Sequence, residues 1–245
     1  MSWSIVAQSL TRPYRVPLSM VLLVSLVPLY IFIPVLFPPR TRHVPELALD
    51  RALPLIPSWA VIYGMLYLFL IVLPVLVIRQ DEHIRRTVYA YLFIWITAYL
   101  FFFVIYPTKA PRPEIVSGDG FAVWALRALY SSDPPYNCFP SLHVAHSFVS
   151  ALACRGVHRR LGGIALVFAT LVALSTLFTK QHYVVDVIAG VLLALIASRL
   201  FLRPFHPDTG AELDRHAAPA LALCASAFVA LVFAAYWVVY LTVAL

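Results

Sequence analysis

Long apolar runs separated by short groups of charged residues make up most of this chain. A helical bilayer crossing needs about 20 predominantly apolar residues, and several of the runs meet or approach that length. We therefore predict an all-α, polytopic membrane helix bundle that forms a single integral membrane domain over residues 1–245. The predicted helices are residues 17–37, 58–78, 88–106, 141–155, 161–178, 183–202 and 217–243.

The fourth run, residues 141–155, is short for a full crossing. We expect it to begin below the membrane surface and inside the protein, where buried backbone groups can still find partners. Residues 38–57 are rich in proline and indicate an outer loop with room for a short amphipathic helix. Residues 107–139 indicate a second outer loop between the third and fourth helices.

The composition excludes an ordinary soluble domain. Hydrophobic residues make up 62% of the chain and charged residues 12%, whereas a soluble domain carries about 25% charged residues. The formal charge is +7, but the basic residues are scattered among short loops and form no long stripe. We predict that they set membrane topology and that no nucleic acid is bound.

The basic residues also predict the orientation of the bundle. Alternate loops hold 11 of the 18 Lys and Arg residues, and the positive-inside rule makes those loops cytoplasmic. They are Arg12, Arg15, Arg79, Arg85, Arg86, Arg155, Arg159, Arg160, Arg199, Arg203 and Arg215. Loops 107–139 and 179–182 both belong to the other set and emerge on one face, so we predict that their polar residues meet there, on the non-cytoplasmic side of a plasma or inner membrane.

The segment Pro140-Ser141-Leu142-His143 stands directly before the fourth apolar run. Serine is a favoured N-cap, and the free N–H groups of a helix start bind anions. His143, on the first turn, would face the same anion and could deliver a proton to a leaving oxygen. A plain N-cap with an interfacial histidine explains this segment, taken alone, equally well.

A second polar cluster, residues 180–186, reads Lys-Gln-His-Tyr-Val-Val-Asp. His182 and Asp186 are four residues apart and share a helix face if the helix begins by Gln181. A carboxylate bonded to one ring nitrogen makes the other nitrogen a better base or nucleophile. Lys180 adds a cation beside them, and the simpler alternative is an interfacial His–Asp ion pair.

A third cluster, Tyr106-Pro107-Thr108-Lys109-Ala110-Pro111-Arg112-Pro113, follows the third helix. Its prolines stiffen the backbone and would hold Lys109 and Arg112 over a bound anion. Arginine can bind phosphate oxygens with two parallel hydrogen bonds. Taken alone, the segment is also explained as a stiff loop with basic residues at the headgroup level.

The three clusters, in this order over residues 106–190, resemble the type 2 phosphatidic acid phosphatase (PAP2) superfamily. The resemblance implies a six-helix core, here with a seventh C-terminal helix, and a phosphohistidine mechanism without metal or cofactor. It implies that His182 attacks phosphorus, that Asp186 orients it, and that His143 protonates the leaving oxygen and later activates the acceptor. The implied phosphate-binding residues are Arg112, Lys109, Ser141 and Lys180.

The sequence departs from the family pattern at two positions. Ile105 and Thr176 stand where the family has basic residues, and Lys109 and Lys180 are expected to supply the missing charges. With these replacements, the residue pattern of the motifs is closer to that of the inositol phosphorylceramide synthase and sphingomyelin synthase branch of the superfamily. The resemblance thus implies a membrane lipid phosphatase or phosphotransferase, with a phospholipid headgroup transferase as the alternative.

A transporter and a catalytically silent lipid-binding protein are the alternatives to an enzyme. A proton-coupled transporter predicts polar residues throughout the span interiors or a repeat between the two halves, and neither is visible. A catalytically silent lipid-binding relative would not need all three of His143, His182 and Asp186. His146 lies near His143 in sequence, and we expect it to pack between helices.

Overall fold

The computed structural model of the protein describes residues 42–133, 135–203 and 211–244. Within these ranges the chain forms eight helices and no strand, so the predicted all-α fold is confirmed. The predicted helix 17–37 lies outside the described residues. The helices are α1 Ala48–Ala52, α2 Trp59–Val77, α3 Asp81–Leu100, α4 Phe121–Ser132, α5 Leu142–Val157, α6 Arg159–Phe178, α7 Val184–Ala197 and α8 Ala211–Ala244.

Five of the described helical stretches are long and apolar enough to cross a membrane. Two of them include a π-helical turn, Phe101–Ile105 after α3 and Ser198–Leu202 after α7. The architecture is therefore a multi-pass membrane helix bundle. The five stretches are Trp59–Val77, Asp81–Ile105, Arg159–Phe178, Val184–Leu202 and Asp214–Val243.

Charged residues extend α3 beyond its predicted start. The loop predicted at residues 79–87 is wrong, because α3 begins at Asp81 and includes this charged group. Glu82 binds Arg85 at 3.0 Å and Arg86 at 2.6 Å between the arginine Nε atoms and the carboxylate oxygens. Ion pairs three and four residues apart stabilise a helix that continues past its apolar run.

The predicted loop 107–139 contains the amphipathic helix α4, which the apolar-run criterion missed. At 12 residues it is too short to count as a span. It follows Gly120, whose φ of 94° is in the left-handed region that glycine adopts readily. Its buried face includes Val123 and Leu126, which pack with Ala60 of α2. The helix therefore lies against the bundle, over the polar clusters.

Helix α5 is the centre of the bundle. It contacts α2, α3, α6, α7 and α8, and 10 of its 16 residues are buried. A helix enclosed by protein does not need the length of a lipid-exposed span. The expectation that this run begins inside the protein is confirmed, since Ser141 and Leu142 are buried, and its position below the membrane surface stays a prediction.

Small residues set the packing of α8. Its buried side contacts mainly α2, with fewer contacts to α5 and α4, while most of its remaining surface is exposed. Side chains of this size let membrane helices approach closely. The buried small residues of α8 are Ala217, Ala218, Ala222 and Ala225.

The start of α5 is joined directly to α7. The Ser141 N–H donates to the Asp186 carbonyl at 3.0 Å. A Cβ at Gly190 would lie 2.6 Å from the Ser141 carbonyl oxygen and 3.1 Å from Val144 Cβ. Glycine is required here because the two helices approach through their backbones.

We expect Gly190→Ala to lower the free energy of unfolding by about 1–3 kcal/mol, because its methyl group overlaps a backbone oxygen that cannot move aside. Thermal unfolding of the purified protein in detergent measures the effect. Gly163→Ala is the matched control, since a Cβ there meets nothing within 4 Å and alanine is the better helix former. Equal stability of the two variants would contradict the close α5–α7 contact.

Candidate active site

Two buried histidines, one on α5 and one in the turn before α7, meet at one end of the bundle. His143 Nδ1 lies 3.3 Å from His182 Nε2, and the residues are 9% and 3% exposed. The prediction that the two polar clusters meet is confirmed. The contact joins residues that are 39 positions apart in the sequence.

The first turn of α5 positions His143. Ser141 is the N-cap of the helix, as predicted, and its Oγ accepts from the Val144 N–H at 3.4 Å. The His143 ring packs edge-on against Tyr63 and Tyr67 of α2, with centroids 5.6 and 5.1 Å away. The tyrosine rings restrict the imidazole to the side that faces His182.

His182 lies in the turn between α6 and α7. The condition that a helix has begun by Gln181 is not met, because α7 begins at Val184, close to the predicted start at residue 183. The Thr176 carbonyl accepts the N–H groups of Gln181 and His182 at 2.9 and 3.2 Å. Lys180 adopts a φ of 54°, in the left-handed region. This tight turn places His182 ahead of the helix, where its ring can reach α5.

Asp186 reaches back from the first turn of α7 to His182. Its Oδ2 accepts the Tyr183 N–H at 2.8 Å and lies 3.5 Å from His182 Nδ1. The His–Asp distance is within ion-pair range, although its geometry is poor for a hydrogen bond, and Nδ1 has no hydrogen-bond partner. Asp186 therefore holds the turn through the backbone while facing the ring electrostatically.

This order of atoms assigns the protons of the two rings. A carboxylate favours a proton on the nitrogen that faces it, which for His182 is Nδ1. His182 Nε2 then carries a lone pair toward His143, so His143 Nδ1 is the donor in their contact. The assignment follows from the partners of each nitrogen. The pair thus presents a nucleophilic nitrogen opposite a proton donor.

Arg112 is bound beside the same turn. Its guanidinium donates to the Asp133 carboxylate at 3.0 Å and the Asp133 carbonyl at 2.7 Å. It also hydrogen-bonds Gln181 Oε1, on the residue that precedes His182. Arg112 Nε is buried and has no hydrogen-bond partner. The sequence-predicted Arg112 is thus connected to the histidine pair through Gln181.

Helix α4 attaches this group to the end of α6. The Tyr130 hydroxyl donates to the Thr179 carbonyl at 2.6 Å, and the Tyr130 ring lies under the Arg112 guanidinium, 4.8 Å from the centroid to Cζ. Burial raises the pKa of Tyr130 to about 12, so the hydroxyl remains a donor at neutral pH. The missed helix α4 therefore contributes to the site.

The two predicted lysines lie apart from the histidine contact. Lys180 Nζ donates to the Asp50 carbonyl at 2.8 Å. Lys109 is exposed, and its backbone N–H donates to the His43 carbonyl at 3.2 Å. Phosphate binding by Lys109, Lys180 and Ser141 stays a prediction.

Asp50 is a site residue that the sequence patterns did not reveal. It is 5% exposed, and its Oδ1 accepts the Val184 N–H at the start of α7 at 2.8 Å. Its Oδ2 accepts the Leu47 N–H at 2.8 Å. Asp50 thus holds Lys180 with its carbonyl and α7 with its side chain. No local motif marks its link to the site, because the two partners there, Lys180 and Val184, are 130 and 134 positions away.

The remaining singled-out positions have structural roles. His146 stacks on Tyr91, with ring centroids 4.5 Å apart and ring planes 7° from parallel. The prediction that His146 packs between helices is confirmed. Ile105 is 56% exposed, and Thr176 is fully buried. Neither side chain supplies a charge, while the Thr176 carbonyl positions His182.

The sequence that forms this site matches a known protein family. The model of the PAP2 superfamily matches residues 40–200, which include Asp50, Arg112, His143, His182 and Asp186. The chain belongs to the PAP2 superfamily. Helix α8 lies outside the matched residues.

Two curated relatives of this PAP2 protein align over part of its length. A PA-phosphatase related-family protein of Dictyostelium discoideum is 28% identical over 110 residues, which cover 39% of this chain and 20% of the relative. An uncharacterized protein of Methanocaldococcus jannaschii is 38% identical over 81 residues, which cover 33% of each chain. This chain therefore spans a third or less of either relative. No solved structure was found to match it.

Membership of the PAP2 superfamily supports a phosphatase-type activity. One group in the site could also hold a metal ion, since ligand atoms of Cys138, His182 and Asp186 lie within 4.8 Å of one another. Burial raises the pKa of the Cys138 thiol, and metals bind the thiolate. The proton on Cys138 weakens this group as a metal site, and the expectation of chemistry without a metal stays a prediction.

We expect Asp50→Ala to loosen the segment that carries His182, because both the Val184 N–H and the Leu47 N–H lose their acceptors. Hydrogen–deuterium exchange of the peptide over residues 179–187 should become faster. Asp119→Ala is the control, since Asp119 is exposed in the same outer region. Unchanged exchange in Asp50→Ala would show that Asp50 does not hold the turn.

Proposed function

We propose that this PAP2 protein is a membrane lipid phosphatase or phosphotransferase that cleaves a lipid phosphoester through a phosphohistidine. The observation that carries the proposal is the line of three buried groups, Asp186, His182 and His143, separated by 3.5 and 3.3 Å. Asp186 faces Nδ1 of the proposed nucleophile His182, and Nε2 of His182 faces the proposed proton donor His143. The site lies on the non-cytoplasmic face, according to the distribution of basic residues.

In the first step, the substrate's phosphoryl group replaces the direct contact between the rings. The His182 Nε2 lone pair forms a bond to phosphorus, and the phosphorus–oxygen bond to the lipid alcohol breaks. His143, protonated on both ring nitrogens beside the anionic substrate, gives its Nδ1 proton to the departing oxygen and becomes a neutral imidazole. Positive charge develops on the His182 ring, and the Asp186 carboxylate 3.5 Å from Nδ1 stabilises it.

In the second step, a water molecule or another alcohol attacks phosphorus. His143, now without its Nδ1 proton, accepts a proton from this acceptor, and the nitrogen–phosphorus bond breaks. The electron pair returns to His182 Nε2, and both histidines regain their starting states. Hydrolysis and transfer thus share one intermediate and differ only in the acceptor.

Unsatisfied buried polar atoms support the proposal that the phosphoryl oxygens bind beside the histidine pair. Arg112 Nε and Gln181 Nε2 are buried donors without hydrogen-bond partners. Such atoms are rare in folded proteins and costly without a ligand. A phosphoryl group supplies the acceptors they lack, and the backbone N–H groups at the start of α5, capped by Ser141, add a further anion-binding element. Lys109 and Lys180 contribute positive charge at the outer end of the bundle.

We expect His182→Ala to abolish turnover and His143→Ala to slow it by about 10²–10⁴. The first variant lacks the attacking nitrogen, and the second lacks the proton donor. Turnover of a radiolabelled lipid phosphate measures the rates. Rapid denaturation of wild-type protein during turnover should also leave a protein-bound phosphoryl group that survives base and is lost in acid, as expected for a phosphohistidine.

His216→Ala is the matched control for these variants, because the His216 side chain is 61% exposed and pairs with Glu212 on α8. Its turnover and its thermal unfolding should equal those of the wild type. Thermal unfolding also verifies that the two active-site variants are folded. Ordinary activity of folded His182→Ala on every lipid phosphate tried would refute the mechanism.

The acceptor can be identified with a substrate panel. The purified protein is incubated in EDTA with lipid monophosphates, polyprenyl diphosphates and phospholipids, with and without added alcohols, and both products are determined. We expect phosphate release from lipid phosphates, with no loss of rate in EDTA. Acceptor-dependent release of diacylglycerol from a phospholipid would instead assign headgroup transfer, and failure of every substrate would contradict the enzyme proposal.

A further inference from the structure

A groove lies between α5 and α7 at the end of the bundle opposite the histidine pair. Its volume is about 830 Å³. With a rise of about 1.5 Å per residue, Arg155 in this groove lies roughly 18 Å along α5 from His143. The groove therefore lies at the far ends of the same two helices whose near ends meet at Ser141 and Gly190.

The groove combines arginines on both walls with an apolar floor. Arg155 comes from the last turn of α5, and Arg199 and Arg203 come from the end of the α7 span. All three are exposed. The apolar lining residues are Leu152, Leu192, Leu195, Ile196 and Leu202.

The charges of the groove are not neutralised within the described ranges. No carboxylate of residues 42–133, 135–203 or 211–244 pairs with Arg155, Arg199 or Arg203, whereas Arg85 at the same end pairs with Glu82. Ser198 also lines the groove, and its Oγ is buried without a hydrogen-bond partner. The site thus offers several free donors to one anion.

Helix dipoles and membrane topology explain part of this arrangement. Cations are favoured at the C-terminal ends of helices and in cytoplasmic loops. Neither effect requires arginines from two helices to converge on one cavity, or that cavity to have an aliphatic floor. A ligand with an anionic head and an apolar chain fits both features.

We propose that this groove binds an anionic phospholipid of the cytoplasmic leaflet. The phosphodiester accepts hydrogen bonds from Arg155 on one wall and from Arg199 and Arg203 on the other. An acyl chain lies along the exposed side chains of Leu192, Leu195 and Ile196. The bound lipid joins α5 to α7 and so stabilises the helix pair that holds His143 against His182.

The test uses the full chain purified in neutral detergent, with dioleoyl phosphatidylglycerol as the probe. We expect this lipid to raise the unfolding temperature and to remain bound in native mass spectrometry, whereas dioleoyl phosphatidylcholine does neither. The triple variant R155Q/R199Q/R203Q should bind phosphatidylglycerol on the order of 100-fold more weakly, at about 5-fold for each arginine. If the triple variant fails to fold, each single variant should show about a 5-fold loss.

The control variant R85Q/R159Q/R160Q removes the same charge from the same end and leaves the groove lining intact. It should bind the lipid as the wild type does. Equal weakening in both triple variants would assign binding to overall charge and overturn the proposal, as would full binding by R155Q/R199Q/R203Q. Equal stabilisation by glycerol phosphate would assign a soluble anion instead of a lipid.

Discussion

The buried Asp186 carboxylate is the constraint on which the site depends. It is fully buried, and a carboxylate without water is costly unless polar groups face it. The Tyr183 N–H and the His182 ring provide these groups from the turn that precedes α7. Because the first turn of α7 supplies the carboxylate and the preceding turn supplies its partners, the position of His182 follows from where the helix begins.

That helix start is itself held from three directions. Asp50 binds the Val184 N–H from the outer segment, Ser141 binds the Asp186 carbonyl from α5, and Tyr130 of α4 binds the Thr179 carbonyl. The outer elements that carry no chemistry of their own thereby determine the geometry of the histidine pair. The central position of α5 then transmits the packing of the whole bundle to His143.

The two ends of the α5–α7 pair differ in their physical character. At one end the helices touch through backbone atoms at Gly190, and the polar groups there are buried, with several of their atoms left without a hydrogen-bond partner. At the other end, arginines that pair with no carboxylate of the described residues line a groove together with aliphatic side chains. The candidate active site and the basic groove thus share one pair of helices.

The sequence alone determined the helical class, most of the spans and the residues of the histidine pair. Apolar runs reflect the length that a bilayer imposes, and Ser141, His143, His182 and Asp186 lie in local motifs. Only the tertiary structure decided the extension of α3, the presence of α4 and the role of Asp50. Each of these depends on contacts between residues distant in the sequence or on charges paired along a helix, and a pattern of apolar positions records neither. The same reason explains why Lys180 was predicted from its motif, whereas its bond to the Asp50 carbonyl was not.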